Sequence, residues 1–293
     1  MNPKRFEDTP AWQDAMRLGD RIVTLLEPLV SAILAAFLFG RYYGRYKARR
    51  EWMSKALSSA GSTTAQRALI HRAIGAYFLH ADDLVQARQA FEESMRLDPL
   101  PEPAGAAAIR LNLGIVACRE KEFEEGTRYL EESLELFREI GDRRGIATAL
   151  LNIGVSQRHL GAQERAVTLL REAKAVFEEL GDASMRASTL ANLAVAYRTA
   201  GEHDKGLESL SEAFAVWEST TDITVMVGGL RDLIEYSSLY GDEAAAAIVQ
   251  GICERLQQEH GVTIAGLPEA EATGRAREIE LGRSIELEEI AAF

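Results

Sequence analysis

An all-α fold, built as a stack of about five helix pairs, follows from three observations on the sequence. Leu111-Asn112-Leu113-Gly114 returns as Leu151-Asn152-Ile153-Gly154 and again as Ala191-Asn192-Leu193-Ala194, forty residues apart each time and without insertion or deletion. Gly141-Asp142, Gly181-Asp182 and the degenerate Thr221-Asp222 keep the same period. Glycine suits the left-handed position that closes a helix, and aspartate caps the start of the next. Each unit therefore reads as helix, turn, helix and short link, with the inner turn at Gly161 in one copy and Gly201 in the next. Such a period marks a solenoid, in which each unit buries its apolar face against its neighbours.

The residues inside the units resemble the tetratricopeptide repeat, in the longer Gly-Asp-linked form of kinesin light chains and related bacterial regulators. Ile153-Gly154, Ala166, Leu170 and Ala173 match one copy. Leu193, Tyr197, Leu210 and Ala213 match the next, where Ala194 and Gly206 are small substitutes that still permit close helix packing. An earlier copy, Gly75, Phe78, Ala87, Phe91, Ser94 and Asp98-Pro99, fits the family's shorter form, whose proline ends the unit. A fifth copy is degenerate: Asp232-Leu233-Ile234, Tyr236, Gly241-Asp242 and Ala246. The resemblance covers residues 67–258 and implies a superhelical array.

A net charge of −12 argues against general nucleic-acid binding, which depends on basic side chains that neutralise phosphates. Cys118 and Cys253 lack metal-type or C-x-x-C spacing and point to reduced thiols in a cytosolic array.

Residues 1–21 balance four basic with four acidic side chains. Phe6-Glu7-Asp8, Trp12-Gln13 and Ala15 are similar to the opening of the four-helix-bundle proteins associated with ribosomal RNA intervening sequences. That similarity carries no function over. Asp8 or Thr9 before Pro10 reads as a capped helix start.

Residues 22–40 form the apolar helix. Of the 18 residues from Ile22 to Phe39, 14 are apolar, the exceptions being Thr24, Glu27, Pro28 and Ser31. At 1.5 Å per residue the run is about 27 Å long, close to a bilayer's hydrocarbon thickness. Residues 41–57 then bring Arg41, Arg45, Lys47, Arg49 and Arg50 among Tyr42, Tyr43 and Tyr46, followed by Trp52. Arg41, Tyr42, Tyr43, Arg45 and Tyr46 have the chemistry of a membrane-interface belt, and the basic flank orients the span with the repeats in the cytoplasm. The other reading is a helix buried on protein, with Glu27 as the objection to lipid. Ala32, Ala36, Gly40 and Gly44 recur every fourth residue, a stripe that would permit a homo-oligomer. The small polar residues within 58–66 read as a linker.

Charge separates along the array. The first helices of the three matched copies (105–119, 143–160 and 183–200) hold seven arginines and no acid, whereas the second helices hold 16 acids and six bases. In the resembled family the first helices line the concave groove, so the expected partner is an acidic protein or peptide, since arginine forks suit carboxylates. Pairing of each arginine with a neighbouring glutamate is the competing account. Asn112, Asn152 and Asn192 fall at one position of successive units and form a ladder. The resemblance implies that such asparagines hold a peptide backbone, against an inter-repeat hydrogen bond as the alternative. Arg158 and Arg198 are equivalent, with Arg119 one residue out of register. The expected partner-binding set is thus Asn112, Asn152, Asn192, Arg119, Arg158 and Arg198. In the fifth unit Arg231, Asp232 and Glu235 change the character of the groove.

Residues 259–293 read as a tail or cap, either two short strands about Gly282-Arg283 or an amphipathic helix. No phosphate-binding loop, nucleophile elbow or His-Glu-x-x-His site occurs, and the five histidines have no metal spacing. Neither enzymatic activity nor a cofactor or metal is expected. The sequence points to a membrane-anchored adaptor that recruits a cytoplasmic partner. The alternative is a soluble, cytoplasmic signalling regulator whose first 57 residues oligomerise or act as an effector.

Overall fold

The computed structural model describes residues 63–99, 101–220, 230, 233–234, 236–237, 239–240 and 243–260. Nine helices and no strand are present among the described residues. They are α1 (Thr64–His80), α2 (Leu84–Leu97), α3 (Pro103–Arg119), α4 (Phe123–Ile140), α5 (Arg143–His159), α6 (Gln163–Glu179), α7 (Ala183–Thr199), α8 (His203–Thr220) and α9 (Glu243–His260). Described residues between 230 and 239 are helical as well. The chain divides into two compact units, the first ending at Ile140 and the second beginning at Gly141. Residues 1–62, with the apolar helix, its basic flank and the intervening-sequence similarity, lie outside the described residues, as do Arg231, Asp232, Glu235 and the tail. Among the described residues no helix is long and apolar enough to cross a membrane.

Helix ends follow the local rules. Asp142 accepts a hydrogen bond at Oδ1 from the Gly145 amide at 2.9 Å, and Asp182 accepts one from the Met185 amide at 3.2 Å. Thr63 and Gln66 form a reciprocal capping box at α1. At the inner turns the chain reverses through a left-handed residue. Gly161 and Gly201 have φ of 81° and 79°. The amides that follow these glycines, of Ala162 and Glu202, reach back to the carbonyls of Gln157 and Tyr197 at 2.9 Å. In the first unit the same place is taken by residues other than glycine, Asp82 at φ 59° and Lys121 at φ 67°.

Second helices bury one stripe. In α4 it is Gly126, Leu130, Ser133, Leu134 and Phe137; in α6 it is Ala166, Leu170, Ala173, Val176 and Phe177. This i, i+4, i+7, i+11 spacing is that of a one-sided amphipathic helix. First helices are enclosed on two sides. Within the second unit α5 packs on α6 and touches α7, while α7 packs on both α6 and α8.

Small residues stand twelve apart in each pair, Gly75 and Ala87, Gly114 and Gly126, Gly154 and Ala166, and Ala194 and Gly206, and in the last three pairs the helices meet at them. A Cβ on Gly154 would sit 2.8 Å from the Leu170 Cγ and 3.3 Å from the Ala166 carbonyl oxygen. The helices therefore meet with backbone nearly touching backbone. Apolar clusters then fill each unit. The first holds Leu79, Phe91, Ile109, Leu113 and Val116. The second holds Leu190 with Val216, Leu210 with Tyr236, and Leu230 with Val249 and Ile252.

Candidate functional site

Asn152 and Asn192 are half-buried on parallel, neighbouring first helices of the second unit. The Asn152 Nδ2 donates to the Thr148 carbonyl at 2.8 Å, and the Asn192 Nδ2 donates to the Ser188 carbonyl at 2.9 Å. These bonds lie within one helix, so neither asparagine ties one repeat to the next through them. They also settle the orientation of each amide. A carbonyl can only accept, so the group facing it is the NH₂, and Oδ1 and the second N–H are not spent on this bond. An amide that offers one acceptor and one donor matches the N–H and C=O of an extended peptide. Asn112 holds the equivalent half-buried position on α3, in the first unit.

The arginines of the first helices have partners of their own. Ion pairs join Arg110 to Glu132 at 3.0 Å, Arg119 to Asp82 at 3.2 Å, Arg144 to Asp182 at 2.7 Å, Arg186 to Glu178 at 3.5 Å, and Arg143 to Glu179. Arg119 also donates to the Leu79 carbonyl at 3.0 Å, bracing the turn between α1 and α2. Arg158 and Arg198 are equivalent by sequence. The Arg158 Nη2 lies 3.2 Å from the His159 Nε2, and the Arg198 guanidinium sits 6.0 Å from the Tyr236 ring centroid. Partial burial, and then the charge of Arg158, hold the His159 imidazole below its ordinary pKa. The register position of Arg158 and Arg198 is filled in the first unit by Cys118, whose sulfur lies against Gly126.

One polar latch was not foreseen from the sequence. Arg88 on α2 bonds to Glu120 through Nε at 2.9 Å and lies 2.6 Å from Glu122 and 3.3 Å from Glu125. Burial opposes its charge, but the bonds to Glu120 and Glu125 outweigh this and raise its pKa above the ordinary arginine value. Among the described residues no cluster of His, Cys, Asp and Glu could hold a metal ion.

Residues 105–179 and 186–221 match models of the tetratricopeptide repeat. The chain is a tetratricopeptide repeat protein. No curated protein matches it by sequence. Among solved structures, this tetratricopeptide repeat protein is similar to a Rap protein complexed with Competence and Sporulation Factor, with a TM-score of 0.69 and 15% identity over 79% of this chain and 64% of that one. It thus spans less than two thirds of that Rap protein. It is also similar to aspartyl phosphate phosphatase F from Bacillus subtilis, with a TM-score of 0.60 and 13% identity over 96% and 77% of the two chains. A third likeness is to BtubC from P. vanneervenii, with a TM-score of 0.57 and 18% identity over 75% and 87%. At these identities the likeness is one of fold.

Proposed function

We propose that the protein is a binding adaptor that holds an extended segment of a partner protein on its first helices, with Asn152 and Asn192 bonding the partner's backbone. The observation that carries this reading is the orientation of the two amides, each of which gives an N–H, and not its acceptor oxygen, to its own helix. Asn112 would do the same in the first unit. An acidic group on the partner would meet Arg158 or Arg198, and Arg119 in the first unit, at the C-terminal ends of these helices. A guanidinium has five donors and can take a second acceptor beside one already bound. The likeness to a Rap protein solved with a bound factor agrees with a ligand on the array, on grounds of fold alone.

Residues 22–40 would tether the array to a membrane and raise the effective concentration of a weakly bound partner there. The support for this part is the sequence alone: a long apolar run followed by the basic, tyrosine-rich stretch from Arg41 to Arg50.

The binding reading is tested by placing a photoreactive amino acid at Val155 of the full chain in cells and mapping the crosslinked product. Crosslinks to one linear segment of another protein, lost in Asn152→Ala/Asn192→Ala, are the expected result. An equal yield in the double variant would reject the site. Carbonate extraction of the full chain beside a chain starting at Ser58 tests the tether, which fails if both are soluble.

A further inference from the structure

Between Ala147 and Gln157, every residue of α5 is buried except Thr148, Asn152 and Val155. These three stand at i, i+4 and i+7, on one edge of the helix. On α7 Val195 is buried, and the accessible residues over the same span are Ser188, Ala191 and Asn192. A partner reaching the middle of these helices meets a hydroxyl, an amide and an aliphatic side chain, repeated once, and no charge. The cations lie off the two ends. Arg143 and Arg144 stand at the start of α5, engaged with Glu179 and Asp182, and Arg158 lies beyond Val155 at the other end.

Resting on the peptide-binding reading above, we infer that the segment held by Asn152 and Asn192 is uncharged at its centre. It presents an aliphatic side chain to Val155 and Ala191, and any acidic group is confined to its flank beside Arg158 and Arg198. Packed helices lie about 8–10 Å apart and an extended chain advances about 3.3 Å per residue, so the two asparagines meet backbone groups about three residues apart. Side chains of an extended strand alternate, which turns at least one residue between those points toward the floor. A carboxylate there would lose its water against valine methyl groups, whereas a Val, Ile or Leu side chain gains from the same burial. Specificity would then come as much from rejection of charge at the centre as from attraction at the flank.

The test is a displayed library of random heptapeptides panned on the full chain. Selected peptides are then measured by fluorescence anisotropy against the wild type, Asn152→Ala/Asn192→Ala and Val155→Lys, each checked for helicity by circular dichroism. The expected result is enrichment of Val, Ile or Leu at the central positions. Exchange of that residue for Asp should weaken binding to the wild type by about tenfold or more, roughly 1.4 kcal/mol. Val155→Lys should recover much of the loss for the Asp-containing peptide. Peptides that lose affinity in the asparagine double variant yet tolerate central Asp would overturn this inference and leave the peptide-binding reading standing. If no peptide binds the wild type better than the double variant, the binding reading falls and this inference with it.

Discussion

The hydroxyl of Tyr236 donates to the carbonyl oxygen of Ala194 across 2.7 Å, forty-two residues back in the chain. It reaches that carbonyl through the space left by Gly206, on which a side-chain carbon would overlap the Tyr236 hydroxyl and lie 2.7 Å from its Cζ. Ala194 and Gly206 are the small pair of their unit, so the tyrosine reads the backbone at the point where α7 and α8 come closest. Tyr236 is 1% exposed and joins Ala194 and Leu210 in one apolar cluster.

Gly206→Ala is therefore expected to destabilise the protein by about 2–3 kcal/mol, through overpacking at a site that cannot relax without expelling a buried ring. Tyr236→Phe should lose only the hydrogen bond, about 1 kcal/mol. The decisive measurement is a double-mutant cycle by urea unfolding. In a Tyr236→Ala background, Gly206→Ala should cost much less, and equal cost in both backgrounds would show that the two residues do not share the space.

A second expectation concerns Lys121, which takes the left-handed conformation that glycine takes at Gly161 and Gly201. Its amide donates to the Cys118 carbonyl at 3.1 Å, and the next amide, of Glu122, to the Ala117 carbonyl at 2.8 Å. The conformation is thus fixed by the turn. A side chain in this region costs about 1–2 kcal/mol, while glycine gives back roughly 0.5–1 kcal/mol through the freedom of the unfolded chain. Lys121→Gly should raise stability by about 0.5–1 kcal/mol. A lower melting temperature in the variant would count against the strain assigned to this residue.

These two sites show what the sequence could and could not disclose. The repeat register, the Asp142 and Asp182 caps and the Gly161 and Gly201 turns were legible because each follows from rules that act within a few residues. Lys121 was missed because the left-handed turn carries no glycine there. Gly206 reads from the sequence as a residue that lets helices approach. Its occupant comes from the following unit, and nothing local connects Gly206 to Tyr236. The positive character of the first helices was visible as composition, but the acids that meet Arg110, Arg119, Arg143, Arg144 and Arg186 stand on other elements. Which partner a long, flexible side chain finds depends on packing that periodicity does not encode. The narrowness of the accessible edge of α5 was hidden for the same reason, since a helix enclosed on two sides looks nearly uniform to a hydrophobic pattern.

Arg88 offers a third test, because it stands among three carboxylates from the inner turn and the second helix of the next pair. With a side chain 22% exposed, it is neither fully screened nor deeply buried. Removing it by Arg88→Met leaves Glu120, Glu122 and Glu125 to repel one another. A cost of about 1–3 kcal/mol is expected, below that of breaking a fully buried pair because solvent still screens the site. Arg88→Lys should recover only part of the loss, since one ammonium cannot fork toward several carboxylates as a guanidinium does. Full recovery by lysine would reduce the latch to a matter of net charge. Raising the salt concentration should narrow the gap between Arg88→Met and wild type.

The fourth prediction separates a binding role for the asparagines from a structural one. Asn152 and Asn192 each spend one N–H on a carbonyl four residues earlier in the same helix. Alanine favours a helix over asparagine by roughly 0.5–0.7 kcal/mol, and the carbonyls of Thr148 and Ser188 keep their backbone partners when the amide is removed. Asn152→Ala and Asn192→Ala should therefore leave thermal stability unchanged or slightly higher while binding falls. Residues held for recognition show this trade, whereas residues held for packing lose both properties together. A loss of more than about 1 kcal/mol at either site would place the asparagines in the scaffold, a magnitude typical of a broken structural hydrogen bond. Measuring the melting curve before any ligand is known thus tests the site independently of its occupant.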